Sequence, residues 1–230
     1  MLRYLAASAL QPVTGIVRQT ALATTQGATS DVEKVRALYD WVVSNCYRDP
    51  AVKGCGDGRI EAMLESGHLG GKCADLNSLF VAMSRSVGVP AREIYGVRLV
   101  PSAFHYHQLG ADPANLSGAQ HCRAEVWLSQ YGWVAMDPAD VLKVMRQERT
   151  DWIKDAHDPL VQPVYKGLFG GWEGNWVGWN TANDVRLPGS DRGDALPFLM
   201  YPQGESAGAR FDELAPSIFR YAITAHELTT

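Results

Sequence analysis

GGKCADLNSLFVAMSRSVGVPAREIYG, residues 70–96, is the stretch on which the fold turns. Two glycines interrupt the chain and Cys73 then opens a helical period. Leu76, Leu79, Phe80, Met83 and Val87 recur three and four apart, which makes one face of a helix from Cys73 to about Val87 apolar. Gly88 and Pro90 stop it. The period then changes from 3.6 to 2: Ile94, Tyr95, Val97 and Leu99 mark residues 92–100 as a strand. Cys73 lies three residues before Leu76, so it faces the same way as the apolar stripe, toward whatever sheet that helix covers.

Working outward, strands are expected at His121–Leu128 and Trp133–Met136, joined through Ser129–Gly132 as a hairpin. On the first of them His121, Arg123, Glu125 and Trp127 share a face. A three-residue loop at Gln130–Gly132 would pair Ser129 with Trp133 and set Asp137 opposite Glu125, on the face that His121 occupies. Beyond Pro138 the pattern weakens into a charged stretch and then a Trp- and Gly-rich run, residues 168–180, where Trp172, Trp176 and Trp179 have near-helical spacing. The tail carries Pro188, Pro197, Pro202 and Pro216 and reads as loops with short strands.

Upstream, Val32, Val35, Leu38, Tyr39, Val42 and Cys46 mark a helix over Ser30–Tyr47, and Ser30 with Glu33 forms a capping box at its start. An earlier helix is expected near residues 13–26, a loop over 48–58 and a short helix over 59–66. Helices first and antiparallel strands later define an α+β fold, with the Cys73 helix packed on an antiparallel sheet that carries His121 and Asp137. The organisation is one domain: a core over residues 1–140, with the Trp-, Gly- and Pro-rich extension 141–230 packed on it.

Composition narrows the function. Of 230 residues 46% are apolar and 20% charged, which excludes disorder and coiled coil. With 21 basic against 25 acidic residues and no basic block, a nucleic-acid partner is not expected. No apolar run reaches the ~20 residues of a membrane span. Residues 4–10 are short for a signal core, and no small-residue cleavage site follows, so the start reads as mature sequence. The compartment stays open between cytoplasm and an exported location, as does the oligomeric state.

Cys73 is the reactive candidate because a helix N-terminus favours a thiolate. That effect is at most about 2 kcal/mol, roughly 1.5 pKa units, so from ~8.5 the thiol would be only about half ionised at neutral pH. An imidazolium must supply the rest, and His121 is placed to do so. Asp137 would fix the tautomer and steady the charged ring. Gly71 and Lys72, just before the thiol, are candidate substrate contacts, as are Trp172 and Trp176 if they wall the cleft rather than pack as core. The other thiols read differently: Cys46 as core, Cys122 as core opposite His121, and Cys55 as either free or bridged to Cys46. Asp75 and Asn77 read as solvating the first turns of the helix. His105 and His107 have no third ligand nearby, so no metal site is expected.

Residues 70–96 together with QHCRAEVWLSQYGWVAMDPAD, residues 120–140, resemble the core of the transglutaminase-like superfamily: a helix-borne Cys, a His opening a strand, and an Asp ending the next, with gaps of 48 and 16 residues. The resemblance covers about residues 30–140, and GVPAR, 88–92, with Trp133 fits it as well. It implies a papain- or transglutaminase-like fold in which Cys73 is nucleophile, His121 general base and acid, and Asp137 the orienting residue. The implied activity is amide cleavage through a thioester, on peptide or protein substrates, with peptidase or amidase ahead of glutamine–lysine crosslinking. A non-catalytic module binding peptide or cell-wall material is the alternative. Many members carry an aromatic residue two after the His, where this chain has Arg123. No acidic calcium loop stands out and no cofactor is expected.

Overall fold

The computed structural model describes residues 1–215 and 218–228; Pro216 of the expected tail lies outside them. In chain order the elements are α1 (Gly15–Thr24), α2 (Asp31–Asn45), β1 (Tyr47–Arg48), α3 (Ile60–Ser66), β2 (Gly70–Gly71), α4 (Cys73–Ser86), β3 (Ala91–Arg98), β4 (Gln120–Leu128), β5 (Gly132–Met136), α5 (Pro138–Gln147), α6 (Gln162–Gly167), β6 (Trp176–Asn180), β7 (Asn183–Val185), β8 (Leu196–Phe198), β9 (Glu205–Ser206) and β10 (Ala209–Arg210). The architecture is α+β. A four-stranded antiparallel sheet, ordered β5-β4-β3-β6, carries α4 on one face. No helix among the described residues is long and apolar enough to cross a membrane.

The apolar stripe accounts for one face of α4, yet every residue of this helix is buried. The sheet covers the stripe while α1, α2 and α5 pack around the rest. Asp75, Asn77, Ser78, Ser84, Arg85 and Ser86 are therefore interior polar groups that need partners. They find them: Arg85 Nε donates to the Ala91 carbonyl, Ser84 Oγ to Phe80, and Ser78 Oγ to Glu93. The α2 capping box forms as expected, Glu33 N donating to Ser30 Oγ and Ser30 N to Glu33. Val32 is exposed and Cys46 terminates the helix rather than continuing it.

The β4–β5 hairpin forms with a different register. Leu128 pairs with Gly132 and Ala124 with Met136, so the loop is 129–131 and Gly132 takes the left-handed φ of 77° that closes it. Asp137 thus comes beside Arg123, not Glu125, which pairs instead with Arg92 at 2.6 Å. The shift is by two residues, which is even, so Asp137 keeps the His121 face.

Three further elements depart from expectation. Residues 138–147 are a helix, because Asp137 accepts from Asp140 N and Pro138 sits at its first position. Residue 140 accordingly lies inside α5. Trp176–Asn180 is an edge strand on β3, not a helical face. A two-residue parallel pairing, Tyr47 with Gly70 and Arg48 with Gly71, clips the 48–58 loop to the start of α4.

Candidate active site

The two glycines before Cys73 admit protein, not ligand. A side chain on Gly70 would enter the Tyr47 ring, and a Cβ on Gly71 would meet that of Asp75 at 2.6 Å. Gly71 also accepts from Asp49 N through its carbonyl. It is thus a structural residue, and Lys72 is the one of the pair that lines the site cavity. Asp75 does not solvate the helix start. It is buried and accepts from the Lys72 and Gly58 N–H groups, and burial pushes its carboxyl up to about 6 against those two bonds.

Cys73 is the first helical residue of α4, where the backbone N–H has no acceptor within the helix. Its sulfur meets the thiols of Cys122 and Cys55 and the His121 imidazole. The two neighbouring thiols, Cys122 and Cys55, then the imidazole and its charge, outweigh burial and hold the Cys73 thiol well below its ordinary pKa. The neighbouring thiols shift the opposite way: contact with Cys73 and burial keep Cys55 and Cys122 protonated. Cys46 and Cys55 are not bridged. Cys55 Sγ donates to the Gln120 carbonyl and faces the site, while burial pushes Cys46 up to about 12.

His121 opens β4 almost as expected, and its Nε2 lies 2.8 Å from Asp137 Oδ2. That leaves Nδ1 as the ring nitrogen free to exchange a proton. A second carboxylate, Asp140 Oδ2, stands 3.4 Å from the same Nε2. Burial and the Arg98 guanidinium press the imidazole down, but Asp140 and Asp137 outweigh them and raise it to about 9. Asp140 is itself paired with Arg98 at 2.5 Å; although burial opposes ionisation, Arg98, His121 and Arg123 hold it well below the usual carboxylate range. Asp137 is pushed up by burial and by the Asp140 charge. Its Oδ1 accepts from Asn77 Nδ2 and from Asp140 N, which fixes the carboxylate in place. Asn77 is fully buried and ties α4 to the head of α5, donating to Asp137 Oδ1 and accepting from Ala139 N.

Arg123, where an aromatic residue is common in the family resembled, turns inward. Its Nε is 3.3 Å from Asp137 Oδ2, its Nη1 donates to the Glu173 carbonyl, and its guanidinium lies 4.9 Å over the Trp176 ring. Trp176 Nε1 donates to the His121 carbonyl and Trp172 Nε1 to that of Met136. Neither indole lines the cavity at Cys73. They brace β5 and β4 from behind, Trp176 from the edge strand β6 and Trp172 from the segment that precedes it.

His121, Asp137 and Asp140 would each offer a ligand atom to a cation, all within 4.8 Å of one another. Arg98 and Arg123 already sit on those carboxylates, so a dication there would confront two guanidiniums. The residues do not fit a metal. Asp140, Arg98 and Asn77 are the members of this cluster that sequence reading missed. The one-turn spacing from Asp137 to Asp140, across a proline, is the signal for the first; Arg98 and Asn77 give none.

The cavity over Cys73 holds about 170 Å³ and is roofed by the tail through Tyr201, Leu214 and Tyr221. The roof is tied down by Tyr201 Oη accepting from Cys55 N, Gln120 Nε2 donating to Tyr221 Oη, and Leu116 N donating to the Ile223 carbonyl. Cys73 and His121 are each 3% exposed.

A thiol at a buried helix start, an imidazole beside it and a carboxylate behind the imidazole, spread over a helix and an antiparallel sheet, define the thiol–imidazole class of site. The chain belongs to the transglutaminase-like superfamily, whose model matches residues 18–138. It is 39% identical over 233 residues to an uncharacterized protein of Haemophilus influenzae, covering 98% of this chain and 62% of that one. The chain thus spans less than two thirds of the relative's length. Among solved structures it resembles the periplasmic domain of TgpA from Pseudomonas aeruginosa, with 20% identity, a TM-score of 0.47, and coverage of 70% of this chain and 51% of that one.

Proposed function

We propose that the protein is a cysteine peptidase or amidase in which Cys73, His121 and Asp137 form the catalytic triad. The observation that carries the reading is the His121 imidazole, bound through Nε2 to buried Asp137 and lying against a thiol whose pKa is depressed. Thiolate Cys73 attacks an amide carbonyl; the Cys73 N–H stabilises the oxyanion. His121 then gives its proton to the leaving amine as the C–N bond breaks, leaving a thioester. Water, deprotonated by the same ring, attacks that thioester, and the C–S bond breaks to release the acid and the Cys73 thiolate, with the proton kept on His121, which restores the starting ion pair.

Hydrolysis is favoured over crosslinking by charge. Arg48, Lys72 and Lys143 line the cavity at Cys73, so a lysine ammonium approaching as second substrate meets three like charges, whereas water does not. The test is a peptide supplied with and without a primary amine, its products weighed. Acid product lost on Cys73→Ala supports the reading. Amine adducts in excess of acid reverse the order of hydrolysis and transfer, and activity that survives Cys73→Ala removes the site from the chemistry.

A further inference from the structure

The cavity beside Cys73 is lined by four basic side chains that converge from different elements: Arg48 from β1, Lys72 from the residue before α4, Arg98 from the end of β3 and Lys143 from α5. Arg98 is neutralised by Asp140. The other three have no ion pair among the described residues. Arg48 Nε donates to Gln147 Oε1, a neutral acceptor, and Lys72 and Lys143 make no side-chain hydrogen bond to any described group. The single carboxylate in the lining is Glu213, from the roof; Asp49 acts on Lys72 from outside it. Apart from the Cys73–His121 ion pair, which is neutral overall, the balance inside the cavity is thus three unpaired cations against one anion.

These cations crowd one another. Burial first, then Arg98 and Arg48, bring the Lys143 ammonium down to about 8, and burial with Arg48 lowers Lys72 as well. Like charges held together in a half-closed cavity are a cost to the fold that a bound anion relieves. They are also positioned around a single point of chemistry, since Lys72 adjoins the nucleophile in sequence and Lys143 is one turn beyond Asp140 on α5.

We propose that Arg48, Lys72 and Lys143 form a subsite for a carboxylate of the substrate, so that the amide cleaved at Cys73 is one standing next to a free carboxylate in an acidic peptide. The proposal rests on Cys73 being the nucleophile. Carboxylates are the anions a peptide brings to an amide-cleaving site, either at an acidic side chain or at a chain terminus. The small volume of the cavity admits one residue-sized group beside the reacting carbonyl, which places the charge adjacent to the scissile bond rather than several residues away.

The test is alkylation of Cys73 in the full chain by iodoacetate and by iodoacetamide, which differ chiefly in a carboxylate against a neutral amide. Rates are followed on the Cys73-bearing peptide by mass and expressed as the iodoacetate-to-iodoacetamide ratio, with glutathione as reference thiol. The expected ratio exceeds that of glutathione by about tenfold, and falls roughly fivefold in Arg48→Gln and in Lys143→Met, as loss of one nearby charge predicts. Glu213→Gln should raise the ratio. A rise cannot come from unfolding, which would drive the ratio to that of glutathione. A ratio in the native chain equal to that of glutathione, or unchanged in the Arg48→Gln/Lys143→Met double variant, overturns the subsite. Iodoacetamide reacting with Cys73 no faster than with glutathione counts against the peptidase reading instead, and the ratio still decides the subsite.

Discussion

Asp140 carries more of the electrostatics at His121 than its place in the chain suggests. Together with Arg98, Arg123, Asp137, the imidazolium and the Cys73 thiolate it completes a buried set of three cations and three anions. His121 raised to about 9 and Cys73 held well below its ordinary value both favour the thiolate–imidazolium pair over the neutral one. Iodoacetamide should label Cys73 readily at pH 6, where a thiol of ordinary pKa is less than about one part in a hundred ionised. His121→Ala should collapse that acid-side reactivity. Asp140→Asn removes one of the two carboxylates that raise the imidazole, so the alkaline limb of kcat/KM should move from about pH 9 toward neutrality; a limb that stays in place would show that Asp137 alone sets it. Cys73, His121 and Asp137 are legible in the sequence as a candidate cluster because their residue types and spacing mark them out. Asn77 and Arg98 are not, because their significance is made by packing: Asn77 reads as a polar first-turn residue until α5 is seen to close over it.

At the scale of elements, β3 is a strand with little freedom. Gly96 stands between His121 of β4 and Gly178 of β6, and a Cβ there would run into the Val177 carbonyl and the Trp176 indole. Gly96→Ala should cost about 2 kcal/mol or more by overpacking, measured by denaturant unfolding, and should slow Cys73 alkylation by displacing the histidine. Beneath α4 the same strand buries Glu93. Burial raises its carboxyl from 4.5 to about 7, against the hydrogen bonds of Ser78 and Tyr95 and the charge of Arg85. An acid whose folded pKa is raised stabilises fully below its unfolded value and loses that contribution as pH climbs through the folded one. The loss therefore falls between about 4.5 and 7 and amounts to roughly 3 kcal/mol. Glu93→Gln should flatten the pH dependence of Tm across that interval; an unchanged slope would assign it to other groups. The strands around this site were readable from their alternation. The α5 helix was not, since its charged face masks an apolar side formed by Val141, Leu142, Val144 and Met145, and the Trp-run strand was not, because its exposed edge has no clean alternation.

Across the whole molecule, the first two thirds of the chain build the site and the last third covers it. Lys53 pairs with Asp212 and Leu214 packs beside Gly54, so the tail is fastened to the same loop that presents Cys55. Leu214→Ala should speed the reaction of Cys73 with a bulky maleimide more than with iodoacetamide, because only the larger reagent needs the cover displaced; equal acceleration of both would mean that reagent size is not what the cover limits. No periodicity announced this arrangement. Proline-rich, weakly patterned sequence specifies a path only through the partners it meets, here the Leu116–Gln120 segment and the 53–55 loop.

With Cys73 3% exposed, reaching its sulfur is a matter of waiting as much as of fitting. A ligand that could enter only while the tail is lifted would bind in proportion to the lifted fraction, and were that fraction about one in a hundred, its apparent affinity would be about a hundredfold weaker than its intrinsic affinity. If the site cleaves peptides as proposed, thin, flexible chain ends would slip in during brief openings that folded segments miss, so that timing itself would sort what is cut.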